Sequence, residues 1–288
     1  MSAGRLSVCA TPIGNLGDVT LRVLDALREA DLIAAEDTRI TRRLLARHGI
    51  GTPLEPYHAH NLERRTPALV KRITAGAHVA LVSDAGTPGV SDPGAHLVDA
   101  CRAAGVPVEV LPGPSAIVTA LVASGLPTHA FYFGGFLPRK SGERRSRLES
   151  LADLDATLVF YESPRRAAAT LETIAVVLPG REAAMARELT KVYEEVARGP
   201  VEVLAAELAG RGLKGEVVLL VGPPPRGSGR KPIDPEAVRQ RLQEFEAGGM
   251  SRSTAVRQVA ADLGVPRNDV YRIAHGTYGR DEGPATSA

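Results

Sequence analysis

VSDAGTPGVSDPG, residues 82–94, carries the fold in miniature. It continues an apolar stretch of buried-strand character, Val79–Ser83, and ends where an amphipathic segment, Ala95–Ala104, begins. Strand, glycine-rich loop and helix form the unit of α/β proteins, which bind ligands beyond the carboxyl ends of their parallel strands. Gly86, Gly89 and Gly94 leave backbone groups accessible, while Asp84 and Asp92 accept hydrogen bonds from hydroxyl or amino groups. Asp92 stands immediately before Pro93, the pairing of an N-cap with proline at the first helical position. Capping is therefore assigned to Asp92 and ligand binding to Asp84.

The same order recurs outward in both directions. Further strands are expected at Leu6–Thr11, Leu32–Glu36, Val108–Leu111, Phe131–Phe136, Thr157–Tyr161, Ala183–Arg187 and Glu216–Val221. Helices are expected at Thr20–Ala30, Leu62–Ala75, Arg144–Leu151, Arg165–Val177 and Val201–Leu208. A break near Pro112–Pro127 divides two α/β lobes, residues 1–112 and 113–225. GPPPRGSGRKP, Gly222–Pro232, is a Pro/Gly/Ser-rich linker opening a third region, 226–288, with helices over Pro235–Ala247, Ser253–Leu263 and Pro266–His275.

Several other loops leave strand ends with polar chemistry. TPIGNLGD, Thr11–Asp18, has glycines for a tight turn before a helix, and LPGPSA, Leu111–Ala116, repeats that plan. AAEDTRITRRLLARHG, Ala34–Gly49, sets Glu36 and Asp37 at a strand end and follows them with four arginines; a solvated helix face and a functional cluster stand about equal. YESPRR, Tyr161–Arg166, and RELTKVYEE, Arg187–Glu195, also begin at strand ends, the second permitting ion pairs on a surface helix. Convergence of these loops on one cleft is the functional signal. PRKSGERRSR, Pro138–Arg147, supplies Arg139, Lys140, Arg144 and Arg145, either as a phosphate-tracking patch or as a flexible exposed loop.

Composition excludes several classes. The 288 residues are 44% hydrophobic and 24% charged, the balance of a soluble globular protein long enough to bury a sizeable core. Cys9 and Cys101 make no disulfide framework or CxxC motif, His48, His58 and His60 lack metal-ligand spacing, and no GxSxG elbow supports a serine hydrolase; no metal is expected. The uncharged window Val110–Pro138 is broken by prolines, and the N-terminal stretch lacks a signal-peptide core, so a cytoplasmic protein without membrane spans is expected. A net charge of +2 does not by itself announce a polyanion partner.

Taken together, TPIGNLGD, AEDTR, VSDAGTPGVSDPG, LPGPSA, YESPRR, RELTKVYEE and KGEVVLLV (Lys214–Val221) resemble the tetrapyrrole methylase superfamily and, within it, the ribosomal RNA small-subunit methyltransferase I family. The motifs occur in that family's order over roughly the first 225 residues. The resemblance implies two α/β lobes of the tetrapyrrole methylase type followed by a small helical domain. It also implies S-adenosyl-L-methionine held between the lobes, 2′-O-methylation of a decoding-centre cytidine of 16S rRNA in the small ribosomal subunit, and a homodimer. Cofactor positions carry over to Pro12, the Asp84-Ala85-Gly86 turn, Val90, Ser115, Ala116, Glu162 and Leu189. Members acting on tetrapyrroles usually carry GGDP-like loops where this chain has Asp84-Ala85-Gly86-Thr87-Pro88, which argues against a porphyrinoid substrate.

For methyl transfer, a carboxylate or a neutral lysine takes the proton of the ribose hydroxyl. Asp37 or Glu194 is the expected base, with Arg39 and Lys191 orienting phosphate or hydroxyl. In the tail, Val256, Val259, Ala260 and Leu263 share one helical face and Gly264 marks a turn before Val270 and Ile273. This reads as a helix-turn-helix offering Arg252, Arg257, Arg267 and Arg272 to RNA, or equally as a packing appendage. Two competing readings remain: a tetrapyrrole (precorrin or uroporphyrinogen) methyltransferase, and a ligand-sensing helix-turn-helix regulator.

Overall fold

The computed structural model describes residues 4–225, 234–263, 265 and 267–276. The chain divides into two compact units, Met1–Pro224 and Pro225–Ala288.

The larger unit holds two five-stranded sheets. In the first, β1 (Arg5–Cys9), β2 (Leu32–Ala35), β3 (Leu54–Pro56), β4 (His78–Val82) and β5 (Val108–Leu111) lie in the order β3-β2-β4-β1-β5, all parallel. β2 and β4 are buried throughout because helices cover both faces, which is why they read as unbroken apolar runs. Helices α1 (Leu21–Glu29) and α2 (Thr38–Arg47) pack on one face around Ile33, Ala35, Ala80 and Val82. Helices α3 (Leu62–Thr74) and α4 (Gly94–Ala103) pack on the other around Leu6, Val8, Leu32 and Leu81. The chain passes from β4 through α4 to β5 across β1, so the order reverses beside β1. There the loops leaving β1 and β4 are stitched together, Thr11 and Gly86 exchanging amide–carbonyl bonds of 2.9 Å.

The second sheet runs β6-β7-β10-β8-β9 and is mixed. Its strands are β6 (Phe131–Phe136), β7 (Thr157–Glu162), β8 (Glu182–Arg187), β9 (Glu195–Pro200) and β10 (Val217–Val221). β6 and β7 are parallel, whereas β10 lies antiparallel to β7 and β8, and β9 folds back on β8. Helices α6 (Ser141–Glu149), α7 (Ala167–Val177) and α8 (Val201–Leu208) share one core with this sheet. Helix α5 (Ala116–Ser124) covers the opposite face, in a cluster that includes Ile13 from the β1 exit loop.

Two elements depart from the sequence reading. β3 and β9 are additional strands, and RELTKVYEE is no surface helix: Arg187 ends β8, residues 188–194 form the turn, and Glu195 opens β9. In the second unit, α9 (Pro235–Ala247), α10 (Arg252–Leu263) and α11 (Arg267–Ala274) enclose Val238, Leu242, Val256, Val259, Val270 and Ile273. Among the described residues, no helix is long and apolar enough to cross a membrane.

Candidate active site

Beyond the ends of β1, β4 and β7 lies a cavity of about 400 Å³, within the range of small-molecule sites. Its walls are the β4 exit loop, the start of α5, the β7 exit loop and the segment entering β10. Asp84, Ala85, Gly86, Val90, Ser115, Ala116 and Glu162 all line it. Pro12 and Leu189 do not; Leu189 instead shares a hydrophobic cluster with Ile13, which does. Glu36, Phe136, Tyr161 and Gly215–Val218 also face the cavity, and the sequence alone does not assign them there.

The loop after β4 owes its shape to its small residues. Gly86 holds φ +74, a conformation that L side chains rarely adopt, and its amide bonds Thr11. The Asp92 carboxylate accepts from the amides of Gly89 at 2.9 Å and Gly94 at 2.7 Å, closing the loop and capping the start of α4. The helix itself begins at Gly94, so Pro93 and not Asp92 holds the N-cap position, and Asp92 reaches the first helical amide from one residue further back. Ser91, lining the cavity, holds φ 64 without being glycine; Glu188 and Thr190 in the β8–β9 turn do likewise at 51 and 66. Backbone strain of this kind is retained where the surrounding structure over-determines it.

Carboxylates dominate one side of the cavity. Asp84 Oδ1 accepts from the Asp37 amide at 2.9 Å, and Glu36 Oε2 accepts from the Asp84 amide at 3.3 Å. Burial, with repulsion among neighbouring acids, raises the pKa of both Glu36 and Asp84. Asp37 behaves oppositely. It caps α2, and the Arg39 guanidinium beside it, Nε to Oδ1 3.0 Å, holds its carboxyl down to about 2. A carboxylate so committed is a poor proton acceptor.

The β8–β9 turn brings Lys191 to Glu188 at 2.8 Å and to the cavity-lining Glu216 at 2.9 Å. Burial works against the ammonium, but the hydrogen bonds to Glu188 and Glu216 outweigh it and raise its pKa. Neutral-lysine chemistry is thereby disfavoured. Glu194 is exposed and accepts from the Thr190 amide, bracing the same turn. Glu162 is buried, its oxygens already taken by the Ser163 amide at 2.7 Å and the Thr170 hydroxyl at 2.8 Å, with Arg166 at 3.2 Å.

The basic candidates divide by exposure. Arg139, Lys140 and Arg145 are exposed, Lys140 pairing with Glu143 and Arg145 with Glu149. Arg144 is buried at 8% exposure and donates from Nε to Thr173 at 3.1 Å, so it joins α6 to α7 rather than facing solvent. In the second unit, Arg257 is exposed and Arg252 bonds the Ala274 carbonyl and approaches Glu246; Arg272 is half-buried, and the Arg267 side chain lies outside the described residues. Among the described residues there is no cluster of His, Cys, Asp and Glu fit to hold a metal ion.

Residues 5–205 match the family model described as tetrapyrrole (corrin/porphyrin) methylases. A relative from Halalkalibacterium halodurans named Ribosomal RNA small subunit methyltransferase I is 46% identical over 94% of this chain and 95% of its own. Among solved structures, uroporphyrin-III-C-methyltransferase from Thermus thermophilus aligns with TM-score 0.56 and 28% identity, covering 76% of this chain and 94% of that one. The uroporphyrin-III C-methyltransferase from the same organism complexed with S-adenosyl homocysteine shares the fold at TM-score 0.55 and 21% identity, covering 76% of this chain and 97% of that one. The chain therefore belongs to the tetrapyrrole methylases and, within them, to the ribosomal RNA small subunit methyltransferase I family.

Proposed function

We propose that this protein transfers the methyl group of S-adenosyl-L-methionine to the ribose 2′-oxygen of a decoding-centre cytidine in 16S rRNA. The single observation that carries the reading is the cavity, which combines donors and acceptors suited to that cofactor in a chain whose relatives are named for ribosomal RNA methylation. The chemistry of its walls fits. Ile13, Ile117 and Val218 offer apolar contact, while Asp84, Glu36 and Asp92 offer acceptors for hydroxyl and ammonium groups. At the start of α5, Ser115 makes no side-chain cap, leaving first-turn amides to meet a carboxylate. A related fold with S-adenosyl homocysteine bound supports the same cofactor.

When bound, S-adenosyl-L-methionine supplies an electrophilic methyl on a sulfonium. The chain's own task is to hold the acceptor hydroxyl in line and remove its proton, and positioning supplies much of the barrier reduction. Asp37 and Arg39, closed on each other, suit anchoring the β2 exit; Lys191, charged beside Glu216, suits phosphate or hydroxyl orientation. The proton-accepting role falls on Glu36, which faces the cavity with a raised pKa, or on Glu194. The remaining cofactor and RNA assignments, a cytoplasmic location and a homodimer belong to the same proposal.

The test is methyl transfer from labelled S-adenosyl-L-methionine to small ribosomal subunits lacking the modification, followed by nucleoside analysis. Label in 2′-O-methylcytidine is expected. Absence of label in RNA, with cofactor binding intact, would instead favour a small-molecule methylase.

A further inference from the structure

We propose that Phe136 is the platform on which a base of the RNA substrate stacks. This rests on the RNA-methylating reading and adds a specificity-determining residue to it.

Phe136 closes the segment FYFGGF, residues 131–136. In a regular strand, successive side chains alternate between faces, which puts Phe133 and Phe136 on opposite sides. Here β6 pairs Phe133 with Val159 but Phe136 with Tyr161, so β6 spends one residue more than β7 over the same span. That extra residue is a β-bulge, and it carries Phe136 onto the face of Phe133. Both rings then pack against Tyr161, with centroids 4.9 Å and 5.6 Å away.

The two glycines make the bulge possible. A Cβ on Gly134 would lie 2.4 Å from a ring carbon of Phe160, which is fully buried, and Gly135 holds φ +62. Gly135 also reaches across to the first lobe, where an added Cβ would sit 3.8 Å from Ser91 Oγ. Core packing does not account for the result. The bulge places a phenylalanine at the cavity with 59% of its surface exposed, where an ordinary core position would have covered it.

The surroundings identify the occupant. Directly beyond Phe136 the chain carries Arg139 and Lys140, both exposed. The Lys140–Glu143 pair is exposed and exchanges readily for phosphate. An open aromatic face flanked by solvent-facing cations is the combination that holds single-stranded RNA, with bases on rings and backbone on charge. A nucleotide presenting its 2′-hydroxyl to the cavity brings its own base, or the next, past this ring.

The experiment compares wild type, Phe136→Ala and Phe136→Trp in methyl transfer to unmodified small ribosomal subunits, with S-adenosyl-L-methionine affinity measured by calorimetry and folding by thermal denaturation. Phe136→Ala should raise KM for the subunit on the order of tenfold, the scale of one base–aromatic stack. Cofactor affinity should fall far less than the subunit KM rises, the variant should still unfold as one cooperative protein, and Phe136→Trp should restore KM. An unchanged KM in Phe136→Ala, or no recovery in Phe136→Trp, overturns the proposal. Equal loss of cofactor affinity also overturns it, by giving the ring to the cofactor. If wild type labels no RNA, the underlying reading fails first and this inference falls with it.

Discussion

The amide of Asp37 donates to Asp84 Oδ1 at 2.9 Å, binding the loop that leaves β2 to the loop that leaves β4. One carboxylate thus does two jobs: one oxygen secures a neighbouring loop while the side chain lines the cavity. Substitution separates them. Asp84→Ala removes the acceptor of a partly buried amide and should cost about 1–3 kcal/mol in unfolding free energy. Asp84→Asn keeps an acceptor oxygen and relieves repulsion with Glu36 and Asp92, so its stability should match or exceed wild type. Both variants should lose affinity for a cationic cofactor. Denaturant unfolding with calorimetric binding on the same preparations checks this; an Asp84→Asn variant that binds normally would remove the charge from the argument.

The walls of this site are legible in the sequence where chemistry is concentrated in loops. Asp84, Gly86, Val90 and Ser115 sit in glycine- and proline-rich segments directly after apolar runs, and such segments advertise themselves. β3 does not, because Leu54–Pro56 is three residues long and includes a proline, too short for any periodicity to register. β9 is an edge strand whose residues alternate between half-buried and exposed, and the charges in its sequence EVARGP resemble a helix surface as readily as a strand. Sheet order is equally hidden, since β10 enters between β7 and β8 from far along the chain. Phe136 escapes notice because FYFGGF reads as a plain strand. Its doubled glycine is the available signal, a mark of a bulge in a strand interior.

Acid titration should reveal the strained carboxylates. Glu36 and Asp84 have pKa values raised by burial, so in the free protein each holds its proton to higher pH than an ordinary carboxyl. A bound cation favours their ionised forms and brings the values back down, releasing protons on binding. Affinity for S-adenosyl-L-methionine should therefore climb with pH through the upper carboxylate range and level off above it. Calorimetry in buffers of different ionisation enthalpy reads the proton release, and Glu36→Gln should diminish it. Asp37 acts with the opposite sign: its lowered pKa contributes stability that is present above the usual carboxylate range and lost as pH falls through about 2.

Gly215, just before β10, is where the chain presses hardest on the β8–β9 turn. It holds φ +85, and a Cβ there would lie 2.2 Å from Glu188 Cδ. Glu188 cannot yield freely, since Oε1 accepts from Lys191 Nζ at 2.8 Å and from the Glu216 amide at 3.0 Å. Gly215→Ala should cost about 1–3 kcal/mol through backbone strain and a displaced Glu188. Turnover should fall further than cofactor affinity, because Lys191 loses one of its two carboxylate partners while the β4 loop is untouched. Comparing kcat with the cofactor dissociation constant distinguishes the two effects, and a variant with normal turnover would free Lys191 from any role in the reaction.

Removal of the second unit tests what the helical tail contributes. Gly222 is the natural limit: its amide donates to Glu182 at 2.7 Å and its carbonyl accepts from Arg181 at 3.2 Å, so the second sheet is complete there. Every cavity-lining residue lies before that point, from Ile13 to Val218. A chain ending at Gly222 should bind S-adenosyl-L-methionine as tightly as the full chain. Its affinity for the small subunit should drop, because α10 turns Val256 and Val259 into the unit's core and leaves Arg257 exposed on the remaining surface. For every phosphate that the tail neutralises in the full chain, the shortened chain's dependence of log affinity on log salt concentration should be shallower by about one unit. Binding measured across a salt series gives both numbers. Identical slopes for the two chains would make the tail a packing appendage, its arginines irrelevant to RNA.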